Sequence, residues 1–231
     1  SKQVMANWVI RCSERYLSPV YFRLHELLLT YDVIQQDETP VEVTKDGRPA
    51  NSKSFMWVYR SGKYHTDRVI ILYEYQKTRK AEHPQKFLEE FHGVCECDAY
   101  AVYEKMVPEG RKTMKGVNYY LNHEKQFCEF LNHGNVPLDN NATESALRNF
   151  CMHKHTWRLI NTINGAKASA LVYSIVETAK ANGLNPFRYL KFLLTEMMEH
   201  EEDTDYCFID DLLPWSDSIP DICKMKNKKE H

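Results

Sequence analysis

Residues 33–40 read Val33-Ile34-Gln35-Gln36-Asp37-Glu38-Thr39-Pro40, in which Asp37 ends an apolar run. The run continues beyond Pro40 as Val41-Glu42-Val43, and this composition predicts a strand. A single Asp beside a strand is weak evidence of a site, because Asp is also common in turns. A second predicted strand also ends in an aspartate, and the two together are stronger evidence of a site.

Two further acids have comparable settings. Asp98 ends the run Gly93-Val94-Cys95-Glu96-Cys97, and Glu144 follows an Asn pair at the predicted start of a helix. An enzyme that cuts or joins a phosphodiester can use two divalent ions about 3.5–4 Å apart. Mg²⁺ prefers carboxylate oxygens and keeps several waters, so few protein ligands suffice. Two strand-end aspartates and one helix-borne glutamate fit this demand.

The order of apolar patterns predicts helices, three strands in succession, a helix, one more strand, and helices thereafter. Aromatic and β-branched residues identify the strands, and glycine and proline mark the breaks. The predicted elements are two helices within 2–30 divided at Pro19, strands at 31–36, 54–59 and 69–75, a helix at 84–91, a strand ending at Asp98, and helices over 144–198 interrupted at Asn164-Gly165 and at 183–186.

Several blocks of the chain resemble the insertion-sequence 66 family of transposases, and they occur in the family's order. The blocks that contain the acids are Asp37-Glu38-Thr39-Pro40-Val41, Asp98-Ala99-Tyr100-Ala101-Val102-Tyr103 and Asp139-Asn140-Asn141-Ala142-Thr143-Glu144. The further blocks are His153-Lys154-His155-Thr156-Trp157, Glu177-Thr178-Ala179-Lys180-Ala181-Asn182-Gly183-Leu184-Asn185-Pro186 and Leu213-Pro214-Trp215-Ser216. The resemblance covers most of the chain.

The resemblance implies an α/β fold of the ribonuclease H-like type, a mixed sheet flanked by helices, with helical N- and C-terminal extensions. The first and fourth strands of that fold lie side by side, so Asp37 would meet Asp98, which lies 61 positions later. Asp37, Asp98 and Glu144 would be both the catalytic residues and the ligands of Mg²⁺ or Mn²⁺, with two ions. Such ions activate water or a DNA 3′-hydroxyl and stabilise the leaving oxygen.

The implied function is that of a DNA transposase catalytic domain, which cleaves and transfers strands at the ends of an insertion sequence. The implied partners are transposon-end and target DNA, further copies of the chain in the active complex, and companion proteins of the same element. The implied location is the bacterial cytoplasm, at the nucleoid when DNA is bound. The expected domains are a helical lead-in over 1–30, a catalytic domain over 31–198 with a shortened insertion near 104–136, and an acidic linker with a C-terminal element over 199–231.

Two departures from the family pattern leave alternatives open. Asp98 and Glu144 are only 46 positions apart, without the family's longer helical stretch and its Ala-His-Ala-Arg-Arg-like motif. Regions similar to the family's N-terminal zinc-binding and DNA-reading parts are also missing, so recognition of transposon ends is expected to lie outside this chain. The alternatives are a decayed relative that binds DNA without cleaving it, and another ribonuclease H-like nuclease.

Two of the acids have rivals nearby. Asp37 and Glu38 are neighbours in an extended strand and point to opposite faces, so only one of them can face the metals. Asp139 precedes Glu144, and we interpret it, with the two asparagines, as a turn and helix cap that directs the helix.

Basic residues gather after Glu144, in a stretch from Ser145 to Val176 that contains no acid. This predicts contact with a phosphate backbone, or else a solvated helix face. Arg148 lies four residues after Glu144 and either contacts a phosphate or pairs with that glutamate. Trp157 either stacks on a base at a distorted DNA end or belongs to the core. The predicted DNA-binding residues are Arg148, Lys154, Trp157, Arg158 and Lys167.

Composition excludes several other classes of protein. The net charge of −2 hides a net of +5 in residues 1–195, because residues 196–231 hold 11 acids against 4 bases. The seven cysteines include no Cys-x-x-Cys pair, which argues against a zinc cluster or disulfide framework and indicates a reducing, cytosolic setting. No apolar run approaches the roughly 20 residues of a membrane span. No glycine-rich phosphate loop supports a nucleotide-dependent metabolic enzyme.

The last third of the chain predicts helices and a polar end. Thr178, Ala179 and Gly183 indicate close helix packing. Residues 200–211 form an acidic run that predicts an exposed linker, and residues 224–231 predict a frayed tail.

Overall fold

The structure is a computed structural model that describes most of the chain. The described residues are 1–49, 52–97, 137, 140–154, 160–203 and 205–225, with the backbone alone at 153 and 154. The helices are α1 (Lys2–Cys12), α2 (Ser18–Leu28), α3 (Glu82–Phe87), α4 (Asn141–Lys154), α5 (Ile163–Ala181), α6 (Pro186–Glu199) and α7 (Ile209–Leu212). The strands are β1 (Val33–Lys45), β2 (Lys53–Ser61), β3 (Ile71–Gln76), β4 (Val94–Cys97) and β5 (Ile160–Thr162).

The two N-terminal helices follow each other without a loop. Pro19 lies in the first turn of α2, directly after another helical segment. A π-helical segment, Ser13–Leu17, joins α1 to α2. Such a wider turn relieves the clash between a proline ring and the carbonyl group four residues earlier. The predicted division at Pro19 is therefore present as a change of helical pitch.

The strands form one mixed sheet in the order β3-β2-β1-β4, and β5 pairs with the far end of β1. The first three strands are antiparallel neighbours, whereas β4 and β5 run parallel to β1. The expected neighbourhood of the first and fourth strands is thus confirmed. Gly93 permits it, because an added Cβ there would lie 2.3 Å from the carbonyl oxygen of Asp32. The N–H of Val94 donates to that same oxygen at 2.8 Å and starts the pairing.

Alternate residues of the central strands face two separate cores. Ile34, Trp57 and Tyr59 lie on the side covered by α2, α3 and α6, which we call the α2 face. Val41 and Val58 lie on the side covered by α4 and the first half of α5, which we call the α4 face. Helix α5 contributes to both cores because it lies beside the outer edge of β3.

The interruption predicted at Asn164-Gly165 is wrong. Helix α5 begins at Ile163, and the Thr162 hydroxyl caps it by accepting the N–H of Gly165 at 3.0 Å. Both residues therefore lie in the first helical turn, and β5 precedes it. The sequence did not predict β5, because three residues are too few to show a periodicity.

The interruption predicted at 183–186 is confirmed. Gly183 has a φ of +74°, the left-handed conformation that ends many helices at little cost for glycine. The Asn185 side chain then caps α6 by accepting the N–H of Arg188 at 3.1 Å. The chain therefore turns sharply from α5 into α6.

The acidic run agrees in part with the predicted exposed linker. Its described residues from 201 to 207 are exposed. The chain then folds back, and Ile209, Leu212 and Leu213 are buried in the core of the α2 face. Arg23 of α2 holds this return through two hydrogen bonds to the Asp210 carboxylate, at 2.6 and 2.9 Å.

The frayed tail predicted at 224–231 is wrong for its first two residues. Lys224 forms a β-bridge with Leu184, and the N–H of Met225 donates to the carbonyl oxygen of Gly183 at 2.8 Å. Residues 226–231 lie outside the described residues.

Two compositional predictions can be compared with the described part. None of its helices is long and apolar enough to cross a bilayer. Its six cysteines are thiols, and Cys95 and Cys97 pack against the core of the α2 face.

Candidate active site

Asp37 lies on the α4 face. Its neighbour across the sheet is Val58 of β2, whose own neighbour is Tyr73 of β3. Residues directly opposite in antiparallel strands share a face, and Val58 and Tyr73 both belong to the core under α4. Asp37 is half-buried, and its Oδ1 accepts the N–H of Glu38 at 2.7 Å. The row Asp37–Val58–Tyr73 therefore runs across this face of the sheet.

Glu38 lies on the opposite face. It pairs with Trp57, which belongs to the core of the α2 face. The Glu38 side chain is 1% exposed and forms an ion pair with Arg79. The two neighbouring acids therefore differ in surroundings, and Asp37 is the one on the side of Glu144.

Asp98 lies outside the described residues. Strand β4 is described up to Cys97, which pairs with Gln36 of β1. The described register thus ends one residue before Asp98 on β4 and one residue before Asp37 on β1.

Glu144 lies in the first turn of α4, as predicted, and its side chain is exposed. The carbonyl oxygen of Asn140 accepts the N–H groups of Thr143 at 3.1 Å and Glu144 at 3.0 Å. A carboxylate in this position is favoured by the positive end of the helix dipole. Asp139, the rival acid, lies outside the described residues.

Helix α4 packs on the face that carries Asp37. Its residues Ala146, Leu147 and Phe150 are buried in the core of that face. The Tyr73 hydroxyl donates to the carbonyl oxygen of Ala146 at 2.8 Å. Because Tyr73 belongs to the same row as Asp37, this bond fixes the start of α4 above that row.

A second contact joins α4 to β1. The Thr39 Oγ1 lies 3.5 Å from the Cys151 Sγ. Thr39 is two residues after Asp37 and therefore on the same face. The structure thus brings Asp37 and the helix of Glu144 to one side of the sheet, with a side-chain contact to β1 at Cys151.

The predicted DNA-binding residues are described unevenly. Arg148 and Lys167 are exposed, on α4 and α5 respectively. Arg148 makes no ion pair with Glu144, although both side chains are described, so the pairing alternative is not observed. Lys154 is the last residue of α4, and its side chain is not described. Trp157 and Arg158 lie outside the described residues.

The α2 face holds a second partly buried acid, Glu74 of β3, opposite Trp57. Burial raises the pKa of Glu74 to about 7. Hydrogen bonds from Gln76 Nε2 at 2.7 Å and from the Tyr59 hydroxyl at 3.4 Å favour the ionised form but do not offset the burial.

Glu74→Gln is expected to flatten the pH dependence of stability. Between pH 4.5 and 7 the unfolded chain ionises this carboxyl while the folded chain keeps it protonated, so the free energy of unfolding falls as pH rises. The loss at pH 8 is at most about 3.5 kcal/mol, since each pKa unit corresponds to about 1.4 kcal/mol. Urea unfolding at pH 5 and pH 8 measures the difference.

Glu42→Gln provides the control for Glu74→Gln, because Glu42 is exposed on β1. A surface change of this kind is expected to alter the unfolding free energy by no more than about 0.5 kcal/mol. Equal pH profiles for Glu74→Gln and the unchanged chain would contradict the assigned burial of Glu74.

Sequence reasoning missed several residues around α4. Tyr73 was predicted only as part of a strand, and neither Asn149 nor Glu177 was singled out for a contact. Asn149 Nδ2 donates to Glu177 Oε2 at 2.9 Å, across 28 positions of the chain. One signal was present: Ser174, Thr178 and Asn182 place polar groups four residues apart along α5 and at its C-cap.

The fold and the site define an α/β protein whose mixed sheet holds an aspartate on the face beneath a helix that has a glutamate in its first turn. Comparison with protein families gives the assignment. The model described as Transposase IS66 family matches residues 1–114 and 104–168, and the IS66 C-terminal element matches residues 174–215. The chain belongs to the IS66 family of transposases. The two matched segments meet between Asp98 and Glu144, where the sequence is shorter than the family pattern.

Similar proteins occur in Sinorhizobium fredii (strain NBRC 101917 / NGR234). The protein y4hP is 28% identical over 110 residues, which are 48% of this chain and 19% of y4hP. The protein y4qI is 26% identical over 105 residues, 46% of this chain and 19% of y4qI. The matched part thus spans about a fifth of each relative's length. No solved structure matches the chain.

Proposed function

We propose that this chain is the catalytic part of a DNA transposase and performs metal-dependent strand cleavage and strand transfer at the ends of an insertion sequence. The observation that carries the proposal is the position of Asp37. It lies on the sheet face that α4 covers, and α4 has Glu144 in its first turn. Membership of the IS66 family supports the reaction class.

The register of β4 supports Asp98 as the second acid of the site. Cys97 is the partner of Gln36 in a parallel pair. Asp98 and Asp37 each follow one member of this pair, and consecutive Cα atoms are about 3.8 Å apart. Neighbouring strands are separated by about 4.8 Å. Continuation of the pairing by one residue would bring the two carboxylates within reach of one ion.

The strand order supports a ribonuclease H-like fold. Three consecutive antiparallel strands are followed by a fourth strand that runs parallel to the first and beside it. This is the arrangement that the family resemblance implies, and helices cover both faces of the sheet.

Carboxylate oxygens suit Mg²⁺ or Mn²⁺, and Asp37, Asp98 and Glu144 are the proposed ligands of two ions. Within the described residues no group of three His, Cys, Asp or Glu forms a metal site, so the proposed set depends on Asp98. When bound, such ions supply an activated nucleophile and stabilise the leaving oxygen. The half-buried Asp37 would hold a fixed position, whereas the exposed Glu144 remains accessible to DNA.

The proposed DNA path follows α4 and the start of α5. Arg148 and Lys167 are exposed there, and neither forms an ion pair with another described residue. Such cations contact phosphates without reading the sequence. Lys154, Trp157 and Arg158, which lie between them in the chain, complete the proposed surface. Assembly into an oligomer and contact with companion proteins remain predictions.

One observation favours a second candidate function, DNA binding without cleavage. Helix α4 meets β1 at Cys151, and Glu144 lies seven residues earlier, about 10 Å along the helix axis. The side-chain bond between α4 and β1 is thus made by Cys151 and not by Glu144, whose side chain is exposed, and a helix that keeps this arrangement when DNA binds would leave the metal site incomplete.

The test uses the purified chain and a supercoiled plasmid that carries the terminal sequences flanking its own gene. Nicking with Mg²⁺ or Mn²⁺, absent with a chelator and absent in Asp98→Ala, supports the transposase. Ca²⁺ should permit DNA binding in a gel-shift assay without cleavage, and this checks that Asp98→Ala still folds and binds.

Other outcomes decide against cleavage of transposon ends. A gel shift without nicking under either metal would assign the chain to DNA binding alone. Preference for a four-way junction over linear ends would assign it to a junction nuclease. Neither a shift nor nicking would overturn both proposals.

A further inference from the structure

The block Glu177–Pro186 is part of the family resemblance, yet none of its residues belongs to the proposed metal site. Its polar side chains point in two directions. Thr178 contacts strand β3 and Asn182 contacts Val69 just before that strand, whereas Glu177 contacts helix α4. Each direction joins α5 to an element that positions the site.

Side chains of α5 and of its C-cap residue Asn182 form a ladder of hydrogen bonds along the outer edge of β3 and of the residues just before it. The members of the ladder are Ser174 with Tyr73, Thr178 with Ile71, and Asn182 with Val69. The Thr178 hydroxyl accepts the N–H of Ile71 at 3.0 Å and donates to its carbonyl oxygen at 2.9 Å. Asn182 makes the same two bonds to Val69, at 3.1 and 2.7 Å.

The ladder can form because the axial rise of four helical residues nearly equals the rise of two strand residues. Four helical residues rise about 6 Å, and two strand residues rise about 6.8 Å. Polar residues four apart on α5 therefore stay beside every second residue of β3. The edge strand gains partners for its backbone groups, and α5 becomes a fixed support beside the sheet.

Glu177 connects α5 to α4. It is 4% exposed, and a buried carboxylate requires partners. Asn149 Nδ2 of α4 donates to its Oε2 at 2.9 Å, and Lys180 Nζ lies 2.7 Å from its Oε1. Asn149 is five residues after Glu144, and Ala146, bonded to Tyr73, is two residues after it. Two ties therefore hold the same segment of α4.

We propose that Glu177 is a positioning residue, which sets the rotation of α4 through Asn149 and thereby directs Glu144 toward Asp37. This inference rests on the proposed function. The Tyr73 bond and the buried side chains Ala146, Leu147 and Phe150 hold α4 against the sheet. The bond from Asn149 to a buried acceptor adds a directional constraint on the rotation of the helix about its axis. At 4% exposure, Glu177 cannot itself contact DNA.

Asn149→Ala and Lys180→Met form a matched pair for the test, because each removes one partner of the same carboxylate. Only Asn149→Ala frees α4. We expect it to slow nicking of supercoiled plasmid at least about tenfold and to raise the half-saturating Mn²⁺ concentration, since small misplacements of a catalytic group cost about that much or more. Lys180→Met should leave both quantities within about twofold.

Conservative rescue separates positioning from charge. Glu177→Gln keeps an oxygen that accepts the Asn149 N–H and is expected to retain nicking within about threefold, whereas Glu177→Leu should lose it as Asn149→Ala does. Loss of nicking in Glu177→Gln would overturn the proposal, because it would show that the charge itself is required.

A second measurement does not depend on activity. Hydrogen exchange of the amides in 141–154 should quicken in Asn149→Ala and stay unchanged in Lys180→Met. If the unchanged chain does not nick DNA, the proposed function fails while this difference still tests the tie to α4. Equal exchange in both variants would overturn the positioning role.

Discussion

Asp37→Asn is expected to abolish metal-dependent nicking, with a loss of about a thousandfold or more, whereas Glu38→Gln should preserve it. The two acids are neighbours, but they lie on opposite faces of β1. Asp37 shares the α4 face with Val58 and Tyr73. Asparagine keeps the size of the side chain and removes the charge that a divalent ion needs. A loss of about 4 kcal/mol in transition-state stabilisation corresponds to about a thousandfold in rate.

Glu38→Gln controls for the loss of one carboxylate from the same strand. Its ion pair with Arg79 lies on the α2 face, so the variant is expected to lose stability and to keep its nicking rate per folded molecule. Nicking rates are measured on supercoiled plasmid with Mn²⁺, below the unfolding transition of each variant. If the Glu38→Gln variant did not nick DNA while the Asp37→Asn variant did, the metals would lie on the other face.

Thr178→Val is expected to cost about 2–6 kcal/mol of unfolding free energy. Valine has the shape of threonine, but it cannot replace the two hydrogen bonds that the hydroxyl makes with Ile71. Both residues are buried, Thr178 at 0% and Ile71 at 7% exposure. The N–H and the carbonyl group of Ile71 would lose their partners, and each such group costs about 1–3 kcal/mol. Urea unfolding followed by circular dichroism measures the change.

Thr195→Val is the matched control for Thr178→Val. Thr195 also lies within a helix, and its hydroxyl bonds to the carbonyl oxygen of Lys191, but the site is exposed and water can replace the bond. Its effect should be no larger than about 0.5 kcal/mol. Similar small effects at both positions would mean that the edge of β3 finds other partners when the ladder is interrupted.

The local sequence predicted the elements that have a clear composition. Aromatic and β-branched residues predicted β2, which contains Trp57, Val58 and Tyr59. The Asn pair predicted the start of α4, with Glu144 in its first turn. Alternation along β1 also showed that Asp37 and Glu38 would separate. These features depend on neighbours in the chain, so periodicity and turn chemistry reveal them.

Other predictions came from family resemblance, and the structure tests them to different extents. The neighbourhood of the first and fourth strands is confirmed, from Val33 with Val94 to Gln36 with Cys97. The trio of acids stays a prediction, because Asp98 lies outside the described residues. The direction of α4 could not be expected at all, since it depends on contacts at Ala146 and Cys151.

The sequence by itself determined which segments are strands and helices, where the acids stand along them, and which neighbouring acids face apart. Only the tertiary structure decided that α4 covers the face of Asp37, that Arg79 engages Glu38, and that Asn149 bonds to Glu177. The physical reason is range. Propensity and periodicity act over a few residues, whereas these contacts join residues from 28 to more than 100 positions apart. They form only when both cores have packed and brought distant polar groups into places where each needs a partner.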